Sequence, residues 1–150
     1  MLRTLIREIM MEGMRRSAGG VVIHPDGDKV LLRKPAQNPG YDDLQWTHAK
    51  GGLDGQSPEE AAMREVEEEM GVQAIIVAEI PGWFSGSTTM NKYYVMQWVS
   101  GDGVTDEETE DVRWFTWDEA ESAMRTGSNT GSIERDITVL RAAQKIFNRV

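Results

Sequence analysis

The chain has 150 residues, a formal charge of −9, 39 % hydrophobic and 27 % charged residues, and no cysteine. That length fits a single domain, residues 1–150, able to bury about 70 % of the surface its unfolded chain exposes. Disulfides, thiolate zinc sites and a cysteine nucleophile are excluded, which favours a reducing, cytoplasmic setting. The acidic balance disfavours nucleic acid and anionic lipid as partners, and nowhere do ~18 apolar residues follow one another as a membrane span requires. The opening stretch also lacks the apolar core of a signal peptide.

Leu2, Leu5, Ile6, Ile9, Met10 and Met14 recur at three- and four-residue steps, so residues 1–14 or so read as an amphipathic helix, packed on the core or forming a homodimer contact. "GGVVIHPDGDKVLLRK" is an apolar run, a Pro-Asp-Gly-Asp turn and a second apolar run, the pattern of a β-hairpin with two central strands. Residues 35–47 carry two Pro, a Gly and two Asp and read as a long loop. "VQAIIVAEI", "KYYVMQWVS" and "VRWFTW" read as strands, with the acidic turn "GDGVTDEETED" before the last. The pattern turns helical from Asp118, breaks at "TGSNTGS", and resumes as a C-terminal helix over about 132–148 with Ile133, Ile137, Leu140 and Ile146 on one side. This mixture predicts an α/β domain with helices covering a sheet.

Residues 57–71 are the best-bounded element. Ser57 as N-cap, Pro58 at the first helical position and Glu60 three residues after the cap form a capping box, and Gly71 ends the helix. At 100° per residue, Ala62, Met63, Val66 and Met70 share one side, while Glu65, Glu68 and Glu69 fall within a roughly 100° arc on another. Like charges at such spacings destabilise a helix by about 0.2–0.5 kcal/mol per pair. Either the arc is a solvated acidic face, or a hard divalent cation such as Mg²⁺ or Mn²⁺ offsets the repulsion. Just upstream lies "KGGLDGQ", whose glycines permit close backbone approach and whose Lys50 can face a phosphate.

With these residues in view, the chain resembles the Nudix hydrolase family, whose helix reads Arg-Glu-aliphatic-x-Glu-Glu-x-Gly-aliphatic. Here that run is Arg64, Glu65, Val66, Glu67, Glu68, Glu69, Met70, Gly71 and Val72. The flanking hairpin, the "YDDLQW" loop and the "EDVRWF" strand are also similar, so the resemblance spans most of residues 16–120. It implies a Nudix-type α/β/α sandwich, a mixed sheet flanked by helices. The implied activity is hydrolysis of a pyrophosphate bond in a small-molecule phosphoanhydride: a nucleoside diphosphate linked to another group, a dinucleoside polyphosphate, a diphosphoinositol polyphosphate or an oxidised nucleotide.

By position, Glu65, Glu68 and Glu69 would hold two or three Mg²⁺ or Mn²⁺ ions, with Arg64 orienting them. Glu108 or Glu110 in the acidic turn would supply a further ligand or the proton acceptor, unless that turn is merely solvated. Lys50, Gly51 and Gly52 would meet the phosphates. Arg33, Lys34 and Lys92 would reach distal phosphates or lie on the surface. Trp83, Phe84, Tyr93 and Tyr94 would stack a base or belong to the core. Two departures from the pattern stand out. Gln56 occupies the position eight before Arg64 where the family has glutamate, in a loop one residue short, with Asp54 as the nearest replacement carboxylate. His48-Ala49 precede Lys50 where a proline is usual. The alternative these departures suggest is a Nudix-fold ligand-binding or regulatory domain with weakened catalysis; an interaction module using the N-terminal helix is a third reading. His24 and His48 lack the spacing of a zinc pair, and neither the G-x-x-x-x-G-K-[ST] phosphate loop nor a serine hydrolase motif is present.

Overall fold

The computed structural model describes residues 14–36, 45–86, 88–103, 105 and 109–150. The expected N-terminal helix therefore lies outside the described residues, as do Glu108 and most of the loop at 35–47. The elements are β1 (Arg15–Ile23), β2 (Lys29–Pro35), β3 (Ala49–Gly52), α1 (Pro58–Met70), β4 (Gln73–Glu79), β5 (Phe84–Ser85), β6 (Thr89–Ser100), β7 (Thr109–Thr116), α2 (Trp117–Met124) and α3 (Thr130–Phe147).

The sheet is mixed, in the order β4-β6-β1-β2-β7, with β3 paired to β1 and β5 to β6. β1 and β6 run parallel and the other pairs antiparallel. Both hairpin strands are thus central, as the continuous apolar runs at Val21–Ile23 and Val30–Leu32 predict. Inward-facing residues alternate between two cores. Val21, Ile23, Val30, Leu32, Tyr93 and Val95 pack against Met124 of α2 and Ile133, Ile137 and Leu140 of α3. Ala18, Val22, Leu31 and Met96 pack on the opposite face against Ala61, Ala62, Val66 and Met70 of α1. The result is a sheet sandwiched between helices, the expected α/β/α arrangement.

α1 forms as its sequence dictates. The Ser57 hydroxyl accepts from the Glu60 amide (3.2 Å), and the Glu60 carboxylate accepts in return from the Ser57 amide (3.4 Å). Such a cap contributes about 1 kcal/mol. Gly71 ends the helix at φ 65°, ψ 28°, and its amide donates to the Glu67 carbonyl (3.0 Å). Met63, expected on the apolar side, is 45 % exposed because it lies at the margin of the buried arc. Glu69 instead falls inside that arc and is 6 % exposed.

The feature that positions the site is a split between the two central strands. β1 and β2 pair only at Val22↔Leu31 and Ile23↔Val30. Over Ser17–Gly20, β1 pairs with β3, and Thr47 bridges to Arg33 of β2. The chain segment from Thr47 to Gly52 therefore fills the gap. The first residues of the glycine-rich stretch "KGGLDGQ" are not loop but part of β3, a strand that exists because its neighbours have opened to admit it. Strand alternation sends Ala49 into the core beneath α1 and brings His48 and Lys50 to a cavity shared with Arg135 and Asp136 of α3.

Candidate active site

Arg64 ties the loop after β3 to α1. Its guanidinium donates to the Gly52 carbonyl (2.7 Å), the Glu65 carboxylate (3.0 Å) and the side-chain oxygen of Gln56. It also lies 3.5 Å from Asp54 Oδ2 and, through Nε, 3.8 Å from Glu68 Oε1. The bond to Glu65 pushes the Arg64 pKa up. Gln56 thus serves the arginine as an acceptor, a task that a neutral amide oxygen performs. Asp54, at φ 50°, is the one non-glycine with positive φ among the described residues; short polar side chains tolerate that conformation.

The three glutamates occupy distinct environments. Glu65 has a side chain 13 % exposed, and burial pushes its carboxyl above the ordinary carboxylate range despite the Arg64 bond that opposes the shift. It fits beneath Gly51, where a Cβ would lie 2.2 Å from its carboxylate carbon. Glycine is required there by space, since Gly51 does not have a left-handed backbone. Glu69 accepts from the Lys50 amide (2.8 Å) and lies 3.5 Å from Arg33 Nη1. Thr109 of β7 locks this corner: its hydroxyl donates to the Glu69 carbonyl (2.8 Å) and accepts from Arg33 Nε (3.0 Å). Glu68 is 53 % exposed and only loosely held by Arg64.

These carboxylates form a hard-oxygen donor set that suits Mg²⁺ or Mn²⁺. Glu65 and Glu69 are each engaged by a cationic side chain, so the like charge of the arc is already partly offset. Among the described residues, the set that brings three candidate ligand atoms within 4.8 Å of one another is not this one but His24, Asp26 and Asp28 in the β1–β2 turn. There the His24 Nδ1 lone pair accepts from the Asp26 amide (3.2 Å), an ordinary turn contact.

On the other side of β3 lies a polar cavity of about 350 Å³. Asp136, 1 % exposed, organises it by accepting from Gln45 Nε2 (3.1 Å), the Thr47 hydroxyl (2.8 Å) and Arg135 Nε (3.0 Å). Arg33 and Lys50 complete its cationic lining. Burial pushes the Lys50 pKa down, with Arg135 adding to the effect. Arg33 also faces Glu69, so cavity and carboxylates are neighbours. Gln45, Arg135, Asp136 and Thr109 were not singled out from the sequence. One signal was available: Asp136 interrupts the apolar stripe Ile133, Ile137, Leu140 of α3, where an acid persists only with buried partners.

Glu110, Lys92 and the aromatic candidates each have partners of their own. Glu110 is paired with Lys34 across β2 and β7 at 3.9 Å, half exposed. Lys92 is buried, and its ammonium is taken up by the Ile80 carbonyl (3.1 Å), the Gly82 carbonyl (3.2 Å) and Glu79. It therefore secures the connection after β4 and does not line the cavity. Tyr93 and Tyr94 are buried on opposite faces of the sheet, and Phe84 packs edge-on against Tyr93, so these rings belong to the cores.

Comparison with known proteins agrees with this geometry. The family model described as NUDIX domain matches residues 13–135. An RNA pyrophosphohydrolase of Caulobacter vibrioides is 38 % identical over 73 residues, covering 47 % of this chain and 41 % of that protein. Nudix hydrolase 25 of Arabidopsis thaliana is 38 % identical over 80 residues, 52 % of this chain and 43 % of that protein. The chain thus spans less than half the length of these curated relatives. Among solved structures, a NUDIX hydrolase from Nitrosomonas europaea superposes with a TM-score of 0.69 at 22 % identity, covering 87 % of this chain and 90 % of that one. An Ap4A hydrolase of C. elegans gives 0.67 at 22 % identity, covering 89 % and 99 %. At such identities the likeness speaks to the fold. The chain belongs to the NUDIX domain family.

Proposed function

We propose that this protein is a divalent-metal-dependent hydrolase that splits a phosphoanhydride bond in a nucleotide-type or other small polyphosphate. The observation that carries the reading is the arrangement around β3, where Glu65 nests against Gly51, Glu69 is held by the Lys50 amide, and Arg33 and Lys50 add positive charge. Family membership supports it, as do the relatives named as RNA pyrophosphohydrolases.

Glu65, Glu68 and Glu69 are the residues that would hold Mg²⁺ or Mn²⁺, which when bound polarises a phosphoryl group and lowers the pKa of an attacking water. Arg64 orients Glu65 and fixes the loop through the Gly52 carbonyl. Arg33 and Lys50 attract the anionic substrate, which a chain of net charge −9 must otherwise repel. A carboxylate of this set takes the proton of the attacking water. Lys92 is left out of the substrate contacts because its ammonium is committed elsewhere.

The alternative, a binding domain with weakened catalysis, rests on Gln56. Since Gln56 still serves Arg64, the departure leaves the scaffold of the carboxylates standing. Incubation with a panel of phosphoanhydrides and Mg²⁺ or Mn²⁺, followed by chromatography of the released phosphate species, separates the two. Hydrolysis of at least one compound, abolished by chelator, is the expected result; binding without turnover across the panel overturns it.

A further inference from the structure

We infer that Thr109 is a positioning residue for substrate phosphate: brought to Arg33 by a bulge in β7, its hydroxyl holds the guanidinium in a fixed orientation between Glu69 and the cavity behind β3. The inference rests on the hydrolase reading above, and it assigns the residue that readies Arg33 for the anion.

The placement of Thr109 departs from regular strand pairing. β2 and β7 pair Arg33↔Val112 and Lys34↔Asp111, so an unbroken ladder would set Glu110 opposite Pro35. The register shifts there, and Pro35 faces Thr109 instead. Residues directly opposite each other share a face, as do residues two apart on one strand. The bulge therefore turns Thr109 toward Arg33 and leaves Glu110 paired with Lys34 at 3.9 Å. A carboxylate in the place of Thr109 would compete with Glu69 for the Arg33 charge; a hydroxyl does not. Bulges are common next to active sites for this reason, because they re-aim a side chain.

The chemistry of the contact fits that place. The Glu69 carbonyl is among the last four of α1, which have no partner within the helix, and the Thr109 hydroxyl donates its proton to it (2.8 Å). With that one proton committed, the oxygen can only accept from Arg33 Nε, at 3.0 Å. Nη1 of the same guanidinium lies 3.5 Å from Glu69 Oε2. Two contacts on one rigid planar group fix its orientation. Arg33 also lines the cavity together with Lys50 and Arg135. Burial lowers the Lys50 pKa and the charges of Arg135 and Arg33 add to the shift, as befits cations that share one space. An anion entering there meets an arginine that is already ordered, and preorganisation of this kind raises affinity.

Calorimetry on the full chain in metal-free buffer, with inorganic phosphate as the probe, tests the inference. Phosphate binding breaks no bond, so the outcome is independent of the turnover panel that tests the hydrolase reading. Thr109→Val keeps the shape and removes the hydroxyl, and it should weaken phosphate binding about 5- to 10-fold, the size of one lost hydrogen bond. Thr109→Ser, which restores the hydroxyl, should recover the affinity of the parent. Arg33→Gln should also weaken binding, and adding Thr109→Val to it should cost nothing more, since Thr109 acts through Arg33. Thermal melts check that each variant folds, and Thr109→Ala replaces Thr109→Val if that one does not. A parent that binds no phosphate, an undiminished affinity in Thr109→Val, a Thr109→Ser as weak as Thr109→Val, or additive losses in the double variant would overturn it.

Discussion

Replacing Gly51 by alanine adds one methyl group at the most crowded point of the site. The new Cβ would lie 2.2 Å from the Glu65 carboxylate carbon and 2.3 and 2.5 Å from its two oxygens. The backbone of β3 accommodates alanine, since Gly51 is not among the positive-φ glycines. Glu65 must therefore swing away, giving up its 3.0 Å bond from Arg64. A part-buried, charge-assisted bond of this kind contributes about 1.5–3 kcal/mol, while the lost flexibility of the unfolded chain returns about 0.4–1 kcal/mol. A net loss of about 1–2 kcal/mol lowers the melting temperature by roughly 2–8 °C in a protein of this size. Turnover should fall further, by about 10- to 100-fold, the usual cost of disturbing the support of a metal ligand. Thermal melts and Mg²⁺-dependent hydrolysis measured on the same preparation test both effects. Unchanged turnover with unchanged Mg²⁺ dependence would refute the placement of Glu65 beneath Gly51.

Two further substitutions follow from the burial of charge. Glu65 has a raised pKa, so the folded state holds a proton there more tightly than the unfolded chain. Its favourable contribution is present below the ordinary carboxylate pKa and is lost as pH rises through the raised one. Glu65→Gln, which keeps an acceptor for Arg64, should accordingly match or exceed the parent in melting temperature at neutral pH in chelated buffer. That advantage should vanish in acid; an advantage that grows as pH falls would contradict the sign. Asp136→Ala removes the acceptor shared by Gln45, Thr47 and Arg135 and leaves the half of an ion pair whose Arg135 side chain is only 12 % exposed. A loss of about 3–5 kcal/mol is expected in denaturant unfolding, and a loss below ~1 kcal/mol would show that the network is not buried as described.

The helix from Pro58 to Met70 was legible because every signal for it is local: cap, first-turn proline, periodicity and terminal glycine lie within fifteen consecutive residues. The hairpin was legible for the same reason. β3 was not, because "AKGG" has no strand pattern of its own and pairs only where β1 and β2 part, a consequence of distant chain segments. The carboxylate set could be read from spacing, but its individual fates could not: Glu69 is buried by its position on the helix, whereas Glu68, one residue earlier, faces solvent. The cavity was invisible for a further reason. Gln45, His48 and Asp136 are separated by up to 91 residues, and only the sheet and α3 bring them together. Lys92 looked like a free cation because nothing in "NKYYVM" announces the carbonyls after β4 that receive it.

Glu68→Gln gives the most direct measurement of the metal-dependent mechanism. Glu68 is half exposed and its one ion pair among the described residues is long, so the change should leave the melting temperature within ~2 °C of the parent. Mg²⁺-dependent hydrolysis of the substrate found in the panel should nevertheless fall by about 100-fold or more, since losing a metal ligand costs at least as much as losing a ligand's support. Hydrolysis persisting undiminished in Glu68→Gln, with the same Mg²⁺ dependence as the parent, would contradict the assignment of the α1 carboxylates.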